Sequence, residues 1–207
     1  MTYFVSEASM NLDDPIEVAL LAARSLEAAG LACALYGGLL TAVYGEPRET
    51  RDADFVVLRV SAEQVRSALD AQGIDAALAF DGVVFGGLRV GRVTVLAASG
   101  DSGLNTIDLV QSRDEAYARR VLDRAVHSTL RGQPIRVVAA EDYVVLKVLS
   151  TRERDLEDAA AVLARNRDLL DLDLVASELD SLARSLPDAE IARRRNRLEQ
   201  RAGTLVR

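Results

Sequence analysis

Several residue types are nearly missing from this chain. Its 207 residues include one cysteine, one histidine and no tryptophan, and Lys147 is the single lysine among 25 basic side chains. One cysteine cannot close an internal disulfide, and a lone histidine, His127, leaves no Cys/His metal site to assemble. Zinc fingers, disulfide scaffolds and Ser-His or Cys-His hydrolases are therefore disfavoured. A long apolar run is missing too. The uncharged stretch Leu31 to Gly45 is shorter than the roughly 20 residues a membrane helix needs, and Gly37 and Gly38 interrupt it. The N-terminus, MTYFVSEASMNLDDP, has no basic stretch leading into an apolar one, so it does not read as a signal peptide. A soluble, cytoplasmic protein without a membrane partner is expected.

What is present suffices for a core. A hydrophobic fraction of 49% with 28% charged residues argues against a disordered chain, and the length suits one or two domains. The net charge of −7 excludes coating nucleic acid by bulk attraction and leaves only local contacts.

Asp13 or Asp14 can cap a helix with Pro15 in its first turn, and Ile16, Ala19, Leu20, Ala23 and Leu26 recur at helical spacing until Gly30. A short apolar strand, Leu31 to Tyr36, then meets Gly37-Gly38 and feeds a second helix, Leu39 to Tyr44. A charged turn, Gly45 to Arg51, leads into a strand from Ala53 to Val60, and Ser61 opens a helix through Leu69. Further strands are expected at Val83–Phe85, Leu88–Val90, Val93–Leu96 and Thr106–Val110. A helix over Asp114–Leu122 follows, then a hairpin of Val126–Leu130 and Ile135–Val138. Beyond it the periodicity is helical throughout, over Ala140–Ser150, Asp155–Ala164, Leu172–Leu186 and Ala189–Arg201. The expectation is an α/β (α+β) fold with two domains: 1–138, a mixed sheet with flanking helices, and 139–207, helical.

Asp52 and Asp54 open an apolar strand, and the strand period of two puts both carboxylates on one face. Two carboxylates that close repel unless a cation lies between them. A hard ion such as Mg2+, which also binds phosphates, would satisfy the pair. The alternative is a solvated turn in which Arg48 or Arg51 neutralises the acids. Gly37-Gly38 at a strand-to-helix junction lets a ligand approach the backbone, where free amides favour phosphate, although two glycines alone are more often a turn device. The joint arrangement is more specific: strand, Gly-Gly, short helix, Arg48 and Arg51, then Asp-x-Asp.

That stretch resembles the nucleotidyltransferase superfamily related to DNA polymerase β. The resemblance implies a third carboxylate on a later strand, and Asp108, inside the apolar Thr-Ile-Asp-Leu-Val, is the candidate, the alternative being a strand-end aspartate facing solvent. Asp52, Asp54 and Asp108 would hold one or two Mg2+ ions against an NTP. A second stretch, from Glu141 to Ala160, is similar to the AbiEii-type toxin-like group, whose signature is a helical lysine followed by Arg-Asp-x-x-Asp. Here these positions are Lys147, Arg154, Asp155 and Asp158. The resemblance implies that Lys147 contacts nucleotide phosphates and that Asp155 or Asp158 completes the catalytic set. Chance survival of one lysine, an N-cap role for Asp155 and a helix-dipole role for Asp158 are the plainer alternatives.

The implied activity is transfer of a nucleoside monophosphate from an NTP to an acceptor hydroxyl, with the tRNA 3′ end as acceptor and a cognate antitoxin as partner. Two rivals stay open: a small hydroxylated acceptor of aminoglycoside or lincosamide type, and a non-catalytic, antitoxin-like binding protein. Gly86-Gly87 with Gly91 lacks the following helix that a dinucleotide loop needs. The arginines at 193, 194, 195, 197 and 201 form a basic run, read as a solvated helix face or an RNA contact.

Overall fold

A computed structural model describes residues 11–46, 49–97, 103–203 and 205. The first helix, α1 (Pro15–Ala28), starts where expected, with the Asp14 carboxylate accepting from the Ile16 amide at 3.0 Å. Strand β1 (Cys33–Tyr36), helix α2 (Gly38–Tyr44) and strand β2 (Ala53–Val57) follow. Strand β2 stops three residues earlier than its apolar run suggests, and Arg59 beyond it has a left-handed backbone, φ 55°. Helix α3 (Ala62–Asp70) carries a capping box between Ser61 and Gln64.

Two long strands replace the three short ones expected next. Strand β3 (Ala76–Phe85) and strand β4 (Leu88–Leu96) form an antiparallel hairpin whose register shifts near Phe80. The first half of β3 escapes sequence reading because it is an edge strand with little buried surface, so its side chains show no apolar alternation. Gly91 lies within β4 without breaking it. The Gly87 amide donates to Leu149 O at 2.8 Å, so the Gly86-Gly87 turn docks on the following helical portion. Strand β5 (Leu104–Ser112), helix α4 (Glu115–Arg124) and the hairpin β6 (Val126–Leu130) and β7 (Gln133–Val137) come next. Then come α5 (Ala140–Leu149), α6 (Glu153–Asn166), α7 (Leu172–Ser185) and α8 (Ile191–Ala202).

The sheet order is β3-β4-β5-β2-β1-β7-β6, with β2 parallel to β5, β1 parallel to β7 and antiparallel neighbours elsewhere. The fold is therefore mixed α/β. Alternate residues of β2, Ala53, Phe55 and Val57, are buried in a hydrophobic cluster that also takes in Val18, Leu26, Tyr143, Leu146, Leu156 and Leu179. Among the described residues no helix is long and apolar enough to cross a membrane.

Candidate active site

Four neighbouring strands place one row of side chains across the sheet. Tyr36 on β1 is opposite Asp54 on β2, Asp54 is opposite Asp108 on β5, and Asp108 is opposite Arg92 on β4. Directly opposed residues share a face, and Asp52, two before Asp54, joins them. Carboxylate oxygens of Asp52, Asp54 and Asp108 lie within 4.8 Å of one another.

The electrostatics of this cluster are unbalanced. Arg92 grips Asp108 in a two-pronged pair, Nε to Oδ1 at 2.6 Å and Nη2 to Oδ2 at 2.7 Å, with its guanidinium over the Phe80 ring. Asp52 receives a hydrogen bond from the Thr50 hydroxyl at 2.9 Å. Among the described residues, the one hydrogen bond to Asp54 is from the distant Gly38 amide, at 3.4 Å. Burial, then the like charges of Asp52 and Asp108, push the Asp54 carboxyl up to about 7. An all-oxygen donor set with surplus negative charge fits a hard divalent cation, which Asp52, Asp54 and Asp108 would hold.

The glycine pair lets this cluster form. Gly37 has φ 71°, and a Cβ on it would lie 1.8 Å from Asp54 Oδ2. A Cβ on Gly38 would lie 2.3 Å from Thr50 Oγ1. No side chain could stand at either position without moving the acid or its partner. Arg51 is not brought into the cluster: its side chain is 90% exposed and meets Glu49 at 3.6 Å. Arg48 lies outside the described residues.

Lys147, Asp155 and Asp158 do come together. Lys147 Nζ donates to Asp155 Oδ1 at 2.7 Å and to Asp158 Oδ2 at 3.0 Å, and its side chain is 4% exposed. The Tyr36 and Tyr143 ring centroids lie 5.5 and 5.3 Å from the ammonium. Burial alone would lower the Lys147 pKa, but Asp155, Tyr143 and Asp158 outweigh it and hold it above its ordinary value. Burial likewise opposes the charged Asp155, and Lys147, Ser150 and Arg152 overcome it and keep that carboxyl below the usual range. Because α6 begins at Glu153, Asp155 is not its N-cap. Tyr36 bridges the two groups: burial, then the charges of Asp155, Tyr143 and Asp54, raise its hydroxyl well above the usual phenol value.

Sequence reading missed Arg92, Arg152 and Ser150, and it took Arg194 as part of a solvated or RNA-contacting face, which its burial overturns. Arg194 of α8 is buried and donates to the carbonyls of Val148 at 2.8 Å, Arg152 at 3.0 Å, Thr151 at 3.3 Å and Lys147 at 3.4 Å, capping the end of α5. The rest of the arginine run is also engaged within the chain: Arg193 with Glu190, Arg195 with Asp180 and Glu199, and Arg197 and Arg201 with Glu153. His127 is exposed on the edge strand β6.

The chain matches the family described as Nucleotidyl transferase AbiEii toxin, Type IV TA system, over residues 19–205. It belongs to that family. This AbiEii chain is thus a nucleotidyltransferase of a toxin–antitoxin family, and enzymes of this kind use a divalent metal ion. Among solved structures it is similar to an antigenic nucleotidyltransferase-like protein from Paracoccidioides brasiliensis, at 17% identity over 87% of this chain and 92% of that chain, with a TM-score of 0.49. It is also similar to the antibiotic-resistance factor ANT(2'')-Ia in solution, at 14% identity over 86% of this chain and 93% of that chain, TM-score 0.46. Likenesses this distant say nothing of the substrate. A comparison with curated proteins finds no match.

Proposed function

We propose that this AbiEii chain is a Mg2+-dependent enzyme that transfers a nucleoside monophosphate from an NTP to an acceptor hydroxyl on RNA, the tRNA 3′ end, as the toxin of a toxin–antitoxin pair. The observation that carries the reading is the under-neutralised row of Asp52, Asp54 and Asp108. Bound there, Mg2+ would supply positive charge to the polyphosphate and to the reacting oxygens. In the reaction the acceptor oxygen forms a bond to the α-phosphorus, the bond from that phosphorus to the bridging oxygen breaks, and pyrophosphate leaves with the electron pair. The hydroxyl proton passes to a carboxylate of the cluster. Tyr36 and the amide edge of α2 form the wall beside it, and Lys147, Asp155 and Asp158 form the second half of the site.

Incubation with Mg2+, each labelled NTP and total RNA tests the proposal. Labelled tRNA is expected with the unaltered chain and no label with Asp52→Ala combined with Asp54→Ala. Equal labelling by both would remove these carboxylates from the mechanism. The net charge of −7 favours a second reading, a cationic small-molecule acceptor. Expression separates the two, since a modifier of tRNA slows growth whereas an antibiotic modifier protects.

A further inference from the structure

We infer that Arg152, rather than the lysine, is the cation that meets the nucleotide's polyphosphate, and that Lys147 acts through Asp155 to position it. The inference rests on the nucleotidyltransferase reading of the Asp52, Asp54 and Asp108 cluster.

Lys147 is poorly placed for direct contact. Its ammonium is buried, two of its donors are committed to Asp155 and Asp158, and tyrosine rings flank it. Its remaining donor is on a side chain only 4% exposed, so a phosphate has little access to it. Arg152 has the opposite character. Its side chain is 76% exposed, yet its backbone and its stem are fixed from three directions. The Ser150 hydroxyl accepts from the Arg152 amide at 3.2 Å, Arg194 donates to the Arg152 carbonyl at 3.0 Å, and Arg152 Nε donates to Asp155 Oδ2 at 3.1 Å.

An exposed arginine ordinarily loses much rotamer freedom when it is ordered. Here Asp155 has already removed much of that freedom at Nε, and both Nη groups make no hydrogen bond among the described residues. Contacts link the guanidinium to the cluster that would hold the cation: Arg152 and Lys147 share Asp155, the Lys147 ammonium lies 5.5 Å from the centre of the Tyr36 ring, and Tyr36 is opposite Asp54 on the neighbouring strand. Planar, pre-oriented donors beside a divalent ion form a receptor for a polyphosphate. Asp155 is the hinge of the device: Lys147 and Ser150 hold it from inside, and it holds Arg152 outward.

Calorimetric titration of the full chain with inorganic tripolyphosphate in the presence of Mg2+ tests this. The unaltered chain is expected to bind. Arg152→Gln should bind at least about tenfold more weakly, the scale of one charge-assisted hydrogen bond. Asp155→Asn should weaken binding in the same direction, and the double variant should be no weaker than Arg152→Gln alone, because the two act in series. In turnover, Arg152→Gln should raise the KM for NTP and leave that for the RNA acceptor unchanged. Far-ultraviolet circular dichroism establishes that each variant is folded, and the Arg152 arm stands if an Asp155 variant fails that criterion.

Tripolyphosphate affinity unchanged in Arg152→Gln overturns the inference, as does additive loss in the double variant. A loss in Arg154→Gln with Arg152→Gln binding normally would move the contact to the other arginine and overturn it too. If the unaltered chain binds neither tripolyphosphate nor any NTP with Mg2+, the proposed function falls along with the inference. If it labels RNA while Arg152→Gln binds normally, only the inference falls.

Discussion

Two acidic groups sit on either side of Tyr36, and they differ in how their charge is balanced. Asp155 and Asp158 enclose a lysine, with Ser150 and Arg152 adding donors to Asp155, and the Asp155 carboxyl is held below its ordinary range. Among the described residues, Asp52, Asp54 and Asp108 have one fully engaged arginine, on Asp108, and the Asp54 carboxyl is pushed up to about 7. A satisfied group fixes geometry. An unsatisfied one stores repulsion that an arriving cation relieves. The difference separates what holds the site from what the site is for.

The largest effect expected from breaking this contrast is on catalysis. Asp54→Asn should lower NMP transfer on the order of 10³-fold or more, since several kcal/mol of transition-state charge stabilisation is lost at about 1.36 kcal/mol per tenfold. The same variant should raise the thermal midpoint in EDTA, because it removes a repelled carboxylate. A lower midpoint in EDTA would show that Asp54 stabilises the metal-free fold and that the imbalance is not real.

On the satisfied side the signs reverse. Lys147→Met should destabilise the chain by about 3–5 kcal/mol, the cost of leaving buried carboxylates without their counter-charge. Urea unfolding followed by circular dichroism measures this. A loss under about 1 kcal/mol would mean that water or other groups neutralise Asp155 and Asp158 instead.

A pH titration separates the two groups without mutation. Asp54 binds its proton more tightly folded than unfolded, so its protonation contributes stability that is fully present below the unfolded pKa near 4. That stability is lost as pH rises through about 7. Metal-free protein should therefore lose on the order of 3 kcal/mol between about pH 4 and pH 7. Mg2+ should restore much of it at pH 7, and Asp54→Asn should flatten the slope. Asp155 has the other sign: its lowered pKa contributes stability that is lost only as pH falls through the folded value, below the unfolded one. An EDTA profile that rises from pH 4 to 7 would contradict the assignment for Asp54.

Much of this arrangement is legible in the sequence, for identifiable reasons. Asp52 and Asp54 are two apart on a strand, so periodicity marks that pair, whereas Asp108, which interrupts an apolar run, is picked out once the family resemblance implies a third carboxylate. Lys147 stands out against the arginines, and Asp155 and Asp158 follow it within a helical turn or so of α6. Arg92 is different. Its partnership with Asp108 depends on the β4–β5 register, sixteen residues along the chain, and Gly91 beside it makes β4 read as two strands. Arg194 reaches across from α8 to carbonyls on α5, and carbonyls leave no trace in a sequence. Arg152 is two residues from the motif position at Arg154, and only the turn between α5 and α6 decides which of the two meets Asp155.

Arg92→Gln sharpens the contrast at intermediate scale. It leaves Asp108 buried beside two other acids, so metal-free stability should fall by about 1–2 kcal/mol, discounted because Arg92 is about one-third exposed. The increase in thermal midpoint on adding Mg2+ should grow, since the ion then has more repulsion to relieve. An unchanged Mg2+ response would mean that Asp108 does not share the ion with Asp52 and Asp54.

The smallest effect should come from Ser150→Ala. The hydroxyl is one of three donors to Asp155, alongside Lys147 and Arg152, so the carboxylate keeps strong partners when it goes. A loss of about 1 kcal/mol in urea unfolding is expected, the scale of a single hydrogen bond. Losing one neutral donor is cheap on the side where charge is balanced, whereas losing Arg92 on the other side exposes a like-charge cluster. Were Ser150→Ala to cost as much as Lys147→Met, the hydroxyl would have to be fixing the α5–α6 turn as a whole, through its second contact to the Arg152 amide. Adding Arg152→Gln to Ser150→Ala would then cost nothing further, a result that unfolding of the double variant reads directly.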